Sequence, residues 1–151
     1  HRPVAGATFW ANQHAGDFTA GMGWQQCGSI NEPYASMNTM NIRYSRPIGD
    51  STHAGMNFVR WDNENAKKFG EITDKIGVMP LNAPGMVDMV VEAYGYYWND
   101  LPFIPITQAR KLIPFDTTYW TGWPTAKNNY NHPATWWQST HQIIHNLKKA
   151  K

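Results

Sequence analysis

The segment from Thr117 to Trp137, TTYWTGWPTAKNNYNHPATWW, limits what this chain can build more than any other. Its twenty-one residues hold Tyr119, Trp120, Trp123, Tyr130, Trp136 and Trp137, with two prolines and almost no aliphatic side chains. A segment used for burial alone draws on Val, Ile and Leu, which pack without a polar atom to satisfy. Here large flat rings alternate with Thr, Asn, Lys and His. That mixture suits a surface that stacks on sugars, whose C–H faces are apolar and whose rims are hydroxyls. Any single ring has a structural alternative, clasping one element against another, but the density of rings argues against that role for all of them.

A chain of 151 residues is long enough to bury one core. Its formal charge of +2 does not mark a nucleic-acid binder, because only Lys67-Lys68 and the Lys148–Lys151 tail are clustered. A basic tail of that kind reads as a solvated helix end complementing the helix dipole. No apolar run approaches the roughly 20 residues that span a bilayer. The opening His-Arg-Pro also lacks the basic-then-apolar pattern of a secretory leader. Cys27 stands alone, among Gln25, Gln26, Gly28 and Ser29, with no neighbouring base to make it a nucleophile. Eight tryptophans and a charged fraction of 16% fit an extracytoplasmic carbohydrate-handling protein better than a cytosolic enzyme.

Along the chain, Val4 to Trp10 reads as a short strand and its exit. In GDFTAGMGW, residues 16–24, the apolar positions Phe18, Ala20, Met22 and Trp24 recur at period two and predict another strand. Tyr34, Met37 and Met40 predict a short helix after Pro33. NFVRW, residues 57–61, reads as extended, with Asp62 as the N-cap of a helix carrying Phe69, Ile72 and Ile76 on one face. Gly77 and Pro80 end that helix. A longer helix follows from about Ala83 to Asn99, its apolar face made of Val87, Val90, Tyr94, Tyr97 and Trp98. Pro102 and Pro105 bracket a predicted short buried strand at Phe103, Ile104 and Ile106, and residues 109–116 read as a further strand or extended connection. A last helix is expected from near Pro133, with Trp136, Thr140, Ile143, Ile144 and Leu147 along one face.

The order of these pieces carries a resemblance. GDFTAGMGW, the loop ending in NEPY, the capped helix, the helix running into DLPFIPI, and TGWPT with its ring-rich tail together resemble the C-terminal part of the family 5 extracellular solute-binding proteins. These are the peptide, nickel and oligosaccharide receptors of ABC importers. The closing TGWPT and NNYNHPATWW are most similar to the members that bind oligosaccharides. The resemblance implies an α/β fold, part of a two-lobed clamshell of the type II periplasmic-binding-protein kind. It implies that residues 1–107 are the C-terminal portion of the second lobe and that residues 108–151 cross back to complete the first. The chain would then be a fragment whose partners are the remainder of the receptor and a permease. It would bind no nucleic acid, need no cofactor or metal, and perform no chemistry.

In peptide receptors of this family the loop after the GW strand carries an acid for the peptide's α-ammonium group. Ser29 occupies that position here, and a hydroxyl cannot neutralise an ammonium taken out of water. A neutral oligosaccharide is therefore the expected ligand, with Trp24 and one or both of Trp120 and Trp123 stacking and Gln25, Ser29, Asn57 and Arg60 bonding hydroxyls. Glu32, close by, looks structural in this motif. Three alternatives stand beside this reading: an oligopeptide receptor of the same family, a free-standing carbohydrate-binding module, and a copper-dependent polysaccharide enzyme built on His1. A glycoside hydrolase needs two carboxylates flanking the scissile bond, and the acids of this chain form no paired motif.

Overall fold

A computed structural model describes residues 5–22, 32–52, 56–106, 113–130 and 140–150. The chain divides into two compact units, His1–Ile104 and Pro105–Lys151. The described elements are mainly helical, with one two-stranded sheet.

The first unit is built on a helix pair. Helix α3 (Glu64–Ile76) buries Ala66, Phe69, Gly70, Ile72, Thr73 and Ile76, the i, i+3, i+4, i+7 stripe of an amphipathic helix. Its N-cap is Asn63, one residue beyond the expected Asp62: the Asn63 Oδ1 accepts from the Ala66 N–H at 3.0 Å, while Asp62 stays exposed. Gly77 follows the last turn, where a Cβ would lie 2.5 Å from the Tyr34 ring. Helix α4 (Met86–Asp100) packs on α3 through Met86, Ala93 and Tyr97. The expected apolar face is thus rotated, since Val87 and Trp98 lie outside the contact at 74% and 51% exposure. Small Ala93 faces α3 and lets the two helices approach, which sends the neighbouring stripe to solvent.

Helix α2 (Pro33–Asn38) starts with proline at its first position, capped by Glu32, whose carboxylate accepts from the Ala35 N–H. Glu32 therefore has the structural role expected of it. A 3₁₀ turn, Ile42–Tyr44, follows, and Met37 and Met40 close the core against α3. Trp61 sits at the centre, its ring 5.2 Å from Phe69 and 5.8 Å from Tyr97. Burial pushes the Tyr97 phenol up to about 12, with a smaller effect from Tyr94, and its hydroxyl donates to the Phe103 carbonyl at 3.0 Å.

Several expected strands do not form. Residues 6–15 are helix α1 (Gly6–Ala15), closed by Gly16 at φ 72°, where the expectation was a strand over Val4–Trp10. A short apolar run carries no period that separates helix from strand. Residues 17–22 of the second expected strand are irregular, with Met22 80% exposed and no ladder partner among the described residues, and residues 23–24 lie outside them. Residues 56–59 are a turn, and 57–61 form no strand, with Asn57 and Arg60 both at positive φ. Ile104 and Ile106 are exposed and unpaired, so the expected buried strand there is absent.

In the second unit, β1 (Trp120–Thr121) pairs antiparallel with β2 (Lys148–Lys149), Trp120 opposite Lys149 and Thr121 opposite Lys148. The Ala150 N–H extends the ribbon to the Tyr119 carbonyl at 2.9 Å. Helix α5 (Thr140–Asn146) precedes β2 and buries Ile143, whereas Ile144 of the expected stripe is 64% exposed. The expected start near Pro133 and Trp136 lie outside the described residues. So do residues 109–112 of the expected segment, and 113–116 form no ladder. Lys148 and Lys149 of the basic tail form strand β2 and not a helix end. Gly122, at φ 94°, brings the chain so close to the Asn146 carbonyl that a Cβ would lie 2.3 Å from that oxygen.

Candidate functional site

The expected site residues fall into three groups. Trp24, Gln25 and Ser29 lie outside the described residues. Asn57 and Arg60 sit together in the first unit, where both hold backbone in place. Asn57 is completely buried. Its Oδ1 accepts from the Trp61 N–H at 2.9 Å, and its Nδ2 donates to the Trp61 carbonyl at 2.9 Å and the Asn41 carbonyl at 3.4 Å. An asparagine tolerates the positive φ of 45° this turn requires. Every polar atom of the side chain is used within the chain.

Arg60 spans three pieces of backbone. Its guanidinium donates to the carbonyls of Phe58, His14 and Asp50 at 2.6, 2.8 and 2.9 Å. His14 and Ala15 end α1; the Thr52 N–H also donates to the His14 carbonyl, and the Gly49 N–H donates to that of Ala15. A cation at a helix C-terminus answers the partial negative charge of its free carbonyls. The close approach needs Gly16, since a Cβ there would lie 2.4 Å from the guanidinium carbon. Burial draws the Arg60 pKa down, opposed by Asp50.

Trp120 and Trp123 are in the second unit, and their surroundings differ. The Trp123 ring stacks on Phe115 at 4.8 Å and 13°, and its indole N–H donates to the carbonyls of Asp116 and Trp120 at 3.1 Å each. Trp123 therefore staples the turn that leads into β1. Trp120 is half exposed, and Tyr119 beside it is 72% exposed. Thr118, Tyr119, Trp120, Lys149 and Ala150 line a shallow, open depression. Asp116 accepts from the Thr118 N–H at 2.8 Å, and hydrogen bonds from the Thr118 hydroxyl and then from its N–H hold the carboxyl below the usual range.

Of this surface only Trp120 was among the expected site residues; Tyr119 and Lys149 are the large side chains that sequence reasoning missed. Tyr119 lay within the ring-rich stretch but had no feature separating it from structural rings. Lys149 was legible only as part of a basic tail, since its place opposite Trp120 depends on a strand of two residues. Among the described residues, no group of three or more His, Cys, Asp and Glu is placed to hold a metal ion. No described helix is long and apolar enough to cross a membrane. His1 and Cys27 lie outside the described residues.

No protein-family model matches the chain, and no characterised protein or solved structure is significantly similar to it.

Proposed function

We propose that the chain is part of an extracytoplasmic solute receptor of an ABC importer, and that it binds an oligosaccharide without transforming it. The α/β clamshell is the fold this reading entails, with the sugar between lobes completed by the remainder of the receptor and handed to a permease. Support comes from the order of motifs in the sequence and from one observation on the surface. Trp120 is a half-exposed ring on a hydrogen-bonded ribbon, and Tyr119, next to it in the chain, is also open to solvent. A ring held by backbone pairing loses little freedom when a ligand seats on it, which favours binding by stacking. Asn57 and Arg60 enter this reading as scaffold, since the Asn57 amide serves the turn and the terminal nitrogens of Arg60 serve the end of α1 and its neighbours.

Calorimetric titration with cello- and xylo-oligosaccharides and with di- to pentapeptides tests it. Sugar binding with no heat from peptides is the expected outcome. Peptide binding that disappears on acetylating the α-amino group, with no sugar heat, overturns it.

A further inference from the structure

The chain's formal charge of +2 conceals a segregation. The second unit, Pro105–Lys151, contains six lysines and arginines and one acid, Asp116, a net of +5. The first unit contains seven basic and ten acidic residues, a net of −3, and the two together give the chain's +2. The one acid of the second unit is bonded to its own turn through Thr118. Among the described residues, Lys127, Lys148 and Lys149 form no ion pair.

One of these cations stands on the ring platform. Residues directly opposite on paired strands project to the same face, so Lys149 shares a face with Trp120, and Lys148 lies with Thr121 on the other. Lys149 also lines the depression with Tyr119 and Trp120. From this juxtaposition we propose that the sugar seated on Trp120 is acidic, a uronic-acid unit whose carboxylate pairs with Lys149. The inference rests on the oligosaccharide reading and revises the expectation of a neutral ligand, which followed from Ser29 at the position where peptide receptors carry an acid. A sugar ring presents both parts the site asks for: a C–H face to lie on the indole and one carboxylate at its edge. A nucleic-acid strand asks for a row of cations following successive phosphates. Lys149 is the one cation among the residues lining the depression, and Lys148 lies on the opposite face of the ribbon.

The test is titration of the full chain with a tetramer of galacturonic acid, with cellotetraose, and with a single-stranded oligo-dT of about eight nucleotides. Each is measured at about 20 mM and about 200 mM salt, where screening differs strongly. The uronate is expected to bind about tenfold tighter than cellotetraose at low salt, with the gap narrowing at high salt. An exposed ion pair is a small effect, so Lys149→Gln is expected to weaken uronate binding about three- to fivefold and to leave cellotetraose within twofold. Lys148→Gln, on the other face, is expected to change uronate binding less than twofold. Equal affinity for the two sugars, insensitive to salt and to Lys149→Gln, overturns the acidic-sugar inference while the oligosaccharide reading stands. Binding of oligo-dT with neither sugar bound, or no binding of any probe, overturns both.

Discussion

The indole N–H of Trp61 donates to the Asp100 carboxylate at 2.7 Å, joining the residue at the centre of the first unit's core to the last residue of α4. Asn63 and Asn65, at the start of α3, donate to the same carboxylate at 2.8 Å each. One side chain thus ties the C-terminus of α4 to the N-terminus of α3, and these bonds, Trp61's first, hold the Asp100 carboxyl below its ordinary pKa.

Asp100→Asn is therefore expected to lower stability at neutral pH, because an amide offers one acceptor atom where three donors converge. The sign of the pH effect follows from the depressed pKa. Stabilisation is fully present above the unfolded carboxyl's value of about 3.9 and is lost as pH falls through the lower folded value. Urea midpoints should differ between wild type and variant by a constant amount from about pH 7 to about pH 5, and the difference should shrink below about pH 4. A difference independent of pH into the acid range would show that the carboxylate charge is not what the three donors use.

Asn57→Ala removes both halves of an amide that pairs with Trp61 and Asn41 backbone, and it leaves a Cβ residue at positive φ. Orphaning buried backbone groups costs about 1–3 kcal/mol each, so a loss of roughly 3 kcal/mol is expected by chemical denaturation. The scaffold role also makes a binding prediction: variants at Asn57 should change sugar affinity only through the folded fraction.

These two residues also show where sequence reasoning reached and where it stopped. The α3 stripe of Phe69, Ile72 and Ile76 was legible, because one helix face repeats over three turns. The cap was misplaced by one residue, since Asp62 and Asn63 are both competent and only backbone geometry chooses between them. Asn57 and Arg60 looked like ligand donors because side-chain type says nothing about whether a polar atom is already occupied. Trp120 and Trp123 have identical chemistry, and the difference between an open ring and a staple comes from the Phe115 stack and two carbonyls. The strand expectations at residues 4–10 and 17–22 failed for another reason: a strand exists only with a partner, which local pattern does not report.

Gly16 and Arg60 form a second testable pair. Gly16→Ala combines an unfavourable φ of 72° with a clash against the guanidinium, while Arg60→Ala removes the group that the clash involves. The left-handed conformation alone costs roughly 1–2 kcal/mol. Thermal or urea unfolding of the two single variants and the double variant is expected to show non-additivity, with Gly16→Ala less damaging in the Arg60→Ala background. Strict additivity would mean that the close approach carries no energetic coupling.

Phe69 is 1% exposed and touches the rings of Trp61, Tyr94 and Tyr97. Phe69→Ala leaves a cavity in the middle of the α3–α4 contact and is expected to cost about 3–5 kcal/mol, measured as the shift in denaturant midpoint multiplied by the slope. A loss below about 1 kcal/mol would mean that this core collapses onto the missing ring.

The central claim is that two tryptophans three residues apart have separate jobs, Trp120 meeting the sugar and Trp123 holding the platform. Calorimetry with the tightest-binding oligosaccharide, on wild type, Trp120→Ala and Trp123→Phe, tests it most directly. Stacking on a half-exposed ring buries enough apolar area for roughly 1–2 kcal/mol, so Trp120→Ala is expected to weaken binding about tenfold or more with the unfolding midpoint unchanged. Trp123→Phe keeps the stack on Phe115 but loses the two carbonyl bonds, and it is expected to lower stability while affinity stays within about threefold. Undiminished sugar binding by folded Trp120→Ala would contradict the account.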